Sequence, residues 1–203
     1  VFCITHFFNP VRYMRLLELV IGSQNDKEKI NDLVNFGDKT LGKTVVVCND
    51  SPGFLGNRVG VYAMQVAMTE AFNFGLTIEE ADAVFGRPLG IPKTGIFGLY
   101  DLIGIDLMAD VLKSFIKELP TSDPFHKVGK ELPIINQLIA DGYTGRKGKG
   151  GFFRMNKTSD VKILESLNYQ NNTYHESKKV DLGLPDVMDV MNVIKRDDVY
   201  GKY

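Results

Sequence analysis

Three His and two Cys are the side chains in this sequence of 203 residues best suited to chemistry near neutral pH. His6 ends an apolar run, Val1 to Phe8, and stands before the turn signal Asn9-Pro10. Imidazole titrates near neutrality, so His6 is a candidate general base. Position alone suits a buried structural His equally well. A base needs an orienting carboxylate. Glu18 lies inside the second apolar run, Leu16 to Ile21, where a lone carboxylate is costly to bury without a partner. Two neighbouring strands would bring Glu18 within reach of His6, fixing the tautomer and stabilising the imidazolium. His126 follows Asp123-Pro124-Phe125 and reads as solvent-facing. His175, in a polar stretch, reads as idle.

Two further constellations stand out. In Asp50-Ser-Pro-Gly-Phe-Leu-Gly-Asn57-Arg58, Gly53 and Gly56 permit close approach to backbone, and the Asn57 amide could donate to a substrate oxygen. Taken alone, Asn57 fits a structural role better. Thr144-Gly-Arg-Lys-Gly-Lys-Gly-Gly-Phe-Phe153 is a Gly-rich basic loop able to hold a phosphate or carboxylate, or simply a flexible surface loop. No P-loop, no Gly-x-Gly-x-x-Gly after a strand and no Gly-x-Ser-x-Gly elbow occurs in the sequence. The Cys and His spacing fits no zinc site, so no metal is expected.

The elements that must position these residues change character along the chain. Residues 1–48 read as strand, strand, helix, strand, the helix capped by Ser23 or Asn25 and ended by Gly42. From Ser51-Pro52, read as N-cap and N1, a long apolar helix runs to Phe74 and needs burial on several faces. Thr77-Ile-Glu-Glu80 is a capping box. Gly86 to Pro92 reads as a rigid connection. Helices follow to Ile103, over 106–119 and over 133–140. Residues 160–167 and 185–194 read as short helices, and 168–179 as a polar loop. The fold class expected is mainly α: an all-helical domain preceded by the last strands of a truncated α/β domain.

A net charge of -1 argues against a nucleic-acid or acidic-membrane partner, and no run approaches a membrane span. Cys3 and Cys48 cannot make a disulfide framework, so a reduced, cytoplasmic location is expected. Val1 opens the chain in the middle of an apolar run, which suggests a fragment.

Three segments in order, His6-Phe-Phe-Asn-Pro-Val11, Leu17-Glu18-Leu-Val20 and Asp50 to Arg58, resemble the L-3-hydroxyacyl-CoA dehydrogenase family. Gly86-Arg-Pro-Leu-Gly90, Asp101-Leu-Ile-Gly-Ile-Asp106 and Gly145 to Phe152 are similar to its later landmarks, so the resemblance runs from Val1 to about Arg154. It implies an NAD-dependent oxidation of L-3-hydroxyacyl-CoA to 3-ketoacyl-CoA, as in fatty-acid β-oxidation. It places the base on His6, its carboxylate partner on Glu18 and the oxygen-holding amide on Asn57, with Asn9 near the substrate. It also implies a homodimer formed through the helical domain.

The domains expected are a remnant of a Rossmann-type NAD-binding domain (1–48), the helical domain (49–154) and an extension (155–203). The family's nucleotide fingerprint and a further catalytic Ser have no counterpart in this sequence, so this chain alone is expected to be inactive. Its Gly86 to Gly95 segment carries extra residues before the next helix, which leaves chain-length preference open. The rival reading is a non-catalytic dimerisation scaffold, which would not need His6, Glu18 or Asn57.

Overall fold

The computed structural model describes residues 2–86, 89, 93–156 and 161–183. They form two compact units, one of residues 1–63 with 117–123 and the other of 64–116 with 124–203.

In the first unit, β1 (Ile4–Phe7) lies antiparallel to β2 (Leu16–Val20), and β2 lies parallel to β3 (Thr44–Cys48). The central strand β2 is buried on both faces, as a strand with a parallel neighbour and a neighbour on each edge tends to be. Leu17 and Leu19 fill one face, and alternation sends Glu18 to the other. Helix α1 (Lys27–Asn35) continues into a wider helical turn at Phe36–Thr40. Its cap is Asp26, which accepts from the Glu28 and Lys29 N–H groups, and not Ser23 or Asn25. Asn25 is spent elsewhere. Its Oδ1 takes the Gly22 N–H at 2.5 Å and its Nδ2 donates to the Phe2 carbonyl at 2.8 Å.

Helix α2 (Gly56–Asn73) begins four residues later than the expected N1 at Pro52. Gly53 (φ 73°) and Phe54 (φ 52°) both adopt left-handed backbone, so residues 51–55 turn instead of winding into helix. Lys43 is buried, and its ammonium donates to the carbonyls of Val11 and Met14, tying down the loop between β1 and β2.

The second unit holds α3 (Ile78–Val84), α4 (Phe97–Ile103), α5 (Ile105–Glu118), α6 (Phe125–Val128) and α7 (Pro133–Ala140). The capping box at Thr77 and Glu80 forms as expected. Gly104, at φ 115°, separates α4 from α5. The core gathers Met68, Ile78, Phe97, Tyr100, Ile105, Phe125 and Phe152, each at most 2% exposed. Ring contacts link Phe97 to Phe152 and Phe115 to Phe125. Gln65 donates to the Tyr100 hydroxyl at 2.6 Å inside this core.

The expectation of a mainly α chain is corrected by a second antiparallel sheet. It consists of β4 (Phe153–Asn156), β5 (Ile163–Asn168) and β6 (Thr173–Glu176), in that order. The fold is mixed α/β. The segment expected as a helix over 160–167 is largely β5, and the expected loop contains β6. Asparagines make the turn between them. Asn168 accepts from the Gln170 N–H, Asn171 accepts from the Thr173 N–H and hydroxyl, and Asn172 takes φ 56°. Most of Gly86 to Pro92, and the helix expected at 185–194, lie outside the described residues. Among the described residues, no helix is long and apolar enough to cross a membrane.

Candidate active site

Strand register places His6 directly opposite Glu18, so the two side chains leave the same face of the sheet. His6 Nδ1 lies 2.6 Å from Glu18 Oε2. The His side chain is 30% exposed and the Glu side chain is fully buried. The second Glu18 oxygen accepts the N–H of Leu55 at 2.9 Å and of Gly56 at 2.6 Å, the residues that open α2. Both oxygens are therefore engaged as acceptors, which offsets the cost of burying the carboxylate. An accepting Oε2 faces a proton on Nδ1, which leaves the Nε2 lone pair as the basic site.

Two rings fix the imidazole plane. Phe8 packs edge-on at 4.7 Å between centroids, and Phe54 lies tilted at 5.6 Å. Cys48 Sγ approaches Glu18 Oε1 at 3.9 Å. Burial pushes the Cys48 thiol pKa above its ordinary value, and the Glu18 charge adds to the rise. This thiol is therefore held protonated.

Asn57 stands on the first turn of α2, exposed, immediately after Gly56. Asn9 is exposed in the loop after β1. Neither side chain hydrogen-bonds within the described residues, so each amide is available. Arg58, next to Asn57, pairs with Asp123 at 2.5 Å.

The other two His depart from expectation. His126 is half-buried and so only partly solvent-facing. His175 is engaged, not idle: its Nε2 lies 3.2 Å from Glu79 and 3.3 Å from Ser166 Oγ. The pairing of β5 with β6 sets Ser166 opposite His175.

The Gly-rich loop is folded around Asp101. The Asp101 carboxylate accepts from the Phe152 and Phe153 N–H groups at 2.9 and 2.7 Å, and its carbonyl accepts from Arg146 N–H. A Cβ on Gly151 would collide with that carboxylate. Burial pushes the Asp101 pKa up to about 6 against these hydrogen bonds and the nearby Arg146.

Sequence reasoning marked Gly56 as open to close approach but missed Leu55, whose backbone N–H acts with that of Gly56 and which no residue type signals. It also missed Lys43, because a Lys before a strand reads as solvated. The aromatic signal of Phe8 and Phe54 was visible, since both lie inside the motifs that carry His6 and Asn57.

The family model for the 3-hydroxyacyl-CoA dehydrogenase C-terminal domain matches residues 53–155, and that for the NAD binding domain of the same enzymes matches residues 1–51. The chain is 43% identical over 201 residues to the "Putative fatty acid oxidation complex trifunctional enzyme" of Rickettsia felis, covering 99% of this chain and 28% of that protein. It thus spans under a third of the length of that relative. Among solved structures, FadB2 of M. tuberculosis is similar with TM-score 0.64 and 28% identity, over 75% of this chain and 51% of the other. The (S)-3-hydroxybutyryl-CoA dehydrogenase PaaH1 of Ralstonia eutropha is similar with TM-score 0.63 and 30% identity, over 73% and 50%.

Proposed function

Because the chain belongs to the 3-hydroxyacyl-CoA dehydrogenase family, we propose that it carries the proton-transfer part of an NAD-dependent oxidation of L-3-hydroxyacyl-CoA to 3-ketoacyl-CoA in fatty-acid oxidation. The observation that carries this reading is the buried Glu18 held between the His6 ring and the start of α2.

In this reading His6 Nε2 takes the proton of the substrate 3-hydroxyl. Glu18 holds the ring and stabilises the imidazolium that forms. The Asn57 amide, one residue beyond the Glu18 anchor, donates to the reacting oxygen, and Asn9 contacts the acyl-CoA from the β1–β2 loop. A pure scaffold could use the Oε1 anchor of α2 but not the part-exposed imidazole that Oε2 orients, which disfavours the dimerisation-only alternative.

Residues 1–51 match only part of the dinucleotide-binding domain in this reading, and the main nucleotide loop is not among them. The sequence has no Gly-x-Gly-x-x-Gly after a strand, and the first N–H groups of α1 are already taken by Asp26. On this reading the chain by itself is expected to turn over no substrate. NADH oxidation with acetoacetyl-CoA above a no-enzyme blank would overturn that point.

Fusion behind the nucleotide-binding half of the Ralstonia eutropha enzyme supplies the cradle for an assay. In the active fusion, His6→Ala lowers kcat by about 10²–10⁴-fold, the usual contribution of a positioned acid–base group. Glu18→Gln presents an amide N–H to Nδ1, forcing the proton onto Nε2, and loses activity likewise. Near-normal turnover in His6→Ala would sink the assignment.

The chain also forms a homodimer through its helical face in this proposal. Val59 and Tyr62, three residues apart on α2, and Leu55 just before it are 62%, 38% and 48% exposed. The proposed setting is a reducing, cytoplasmic one.

A further inference from the structure

A cavity of about 850 Å³ lies wholly within the second unit and shares no residue with the His6–Glu18 pair. Its volume falls in the range of small-ligand sites. The basic loop recognised in the sequence supplies part of its wall, and four separate segments bring Lys93, Lys149, Arg154, Lys178 and Lys179 to it.

Each acid of the lining is engaged through at least one oxygen, while Glu79 Oε2 is buried with no hydrogen-bond partner among the described residues. Glu79 holds Ser166 and His175, Asp82 takes the Phe97 and Gly98 N–H groups, and Asp101 takes those of Phe152 and Phe153. Lys149 and Arg154 also have partners: the Asp141 carbonyl for one, and Glu165, Tyr143 and the Tyr174 ring for the other. Lys93, Lys178 and Lys179 make no side-chain hydrogen bond or ion pair among the described residues. Between the cations the wall is apolar, from Phe153, Met155, Leu164 and Val180. Met155 and Leu164 face each other across β4 and β5, each 46% exposed. A cross-strand apolar pair bordered by unpartnered ammonium groups suits a ligand with one charged end and one greasy end.

We propose that this cavity binds an organic anion with an alkyl body, its head held by Lys93, Lys178 and Lys179 and its chain laid on Met155 and Leu164. A phosphate or a carboxylate head meets the same chemistry.

Calorimetric titration of the full chain separates them, with octyl phosphate, octanoate, inorganic phosphate and 1-octanol as probes. One of the two amphiphiles saturates a single site, and its head identifies the anion. Inorganic phosphate and octanol each bind at least about 10-fold more weakly, since each offers half of the recognition. The double variant Lys178→Gln/Lys179→Gln weakens the amphiphile about 10-fold, Leu164→Asp does the same, and Lys178→Arg/Lys179→Arg restores binding. Absence of saturable binding up to about 5 mM, or an affinity that both charge removal and Leu164→Asp leave unchanged, overturns the proposal. His6→Ala leaves this titration as it was, so the outcome is separate from that of the proton-transfer reading.

Discussion

At the scale of single residues, the site rests on Glu18, whose two oxygens serve different purposes. Oε2 orients the imidazole, and Oε1 anchors the first N–H groups of α2. Gly56 is the tightest point of this arrangement. A Cβ there would come within 2.5 Å of Phe8 Cζ and 3.4 Å of Glu18 Oε1. Phe8 packs on His6, so Gly56→Ala displaces the ring that steadies the base. Overpacking of this kind costs about 1–3 kcal/mol, read as a lowered urea midpoint, and turnover of the fused enzyme falls with it. The His6 and Glu18 pairing was legible because apolar strands flank both residues and an isolated carboxylate in a strand demands a partner. The anchoring role of Oε1 was not, since its donors are main-chain groups set by the φ angles of Gly53 and Phe54.

At the scale of elements, a recurring device is a side chain from one segment holding the backbone of another. Asp82 of α3 takes the Phe97 and Gly98 N–H groups that open α4, where Ile96 supplies no side-chain cap. Burial pushes the Asp82 pKa up to about 7, against these hydrogen bonds and with help from the nearby Asp101 charge. The folded state therefore keeps the Asp82 proton that the unfolded chain releases near pH 4. The stability linked to that proton is full below about pH 4 and is lost as pH rises toward about 7. The thermal midpoint of the wild type relative to Asp82→Asn accordingly falls between about pH 4 and 7 and levels off above it.

Lys43 does the same for the loop after β1. Lys43→Met leaves the Val11 and Met14 carbonyls without their donor, at about 1–3 kcal/mol, and the urea midpoint reports it. Helices with local signals, such as the capping box at Thr77 and the stretch from Pro133 closed by Gly142, were legible. Strand β5 was not. The apolar positions Ile163, Leu164 and Leu167 fit helical spacing, and the strand is decided by pairing with β4 and β6.

At the scale of the whole molecule, α2 leaves Val59 and Tyr62 in solvent, with Leu55 exposed just before it. A stripe at this spacing suits a second helix. Val59→Glu with Tyr62→Glu is expected to convert a dimer to a monomer by light scattering, with an unchanged circular dichroism spectrum. A monomeric wild type at micromolar concentration would refute the interface. The order of motifs made the family legible, while the second sheet fell in a stretch whose Asn-rich turn reads as a linker.

The double duty of Glu18 also sets what variation the chain tolerates. In a saturation library scored once for abundance and once for turnover, substitutions at His6 would separate the two scores, staying soluble while losing activity. Those at Glu18 would lose both together, because the group that orients the base also starts α2, the longest helix among the described residues.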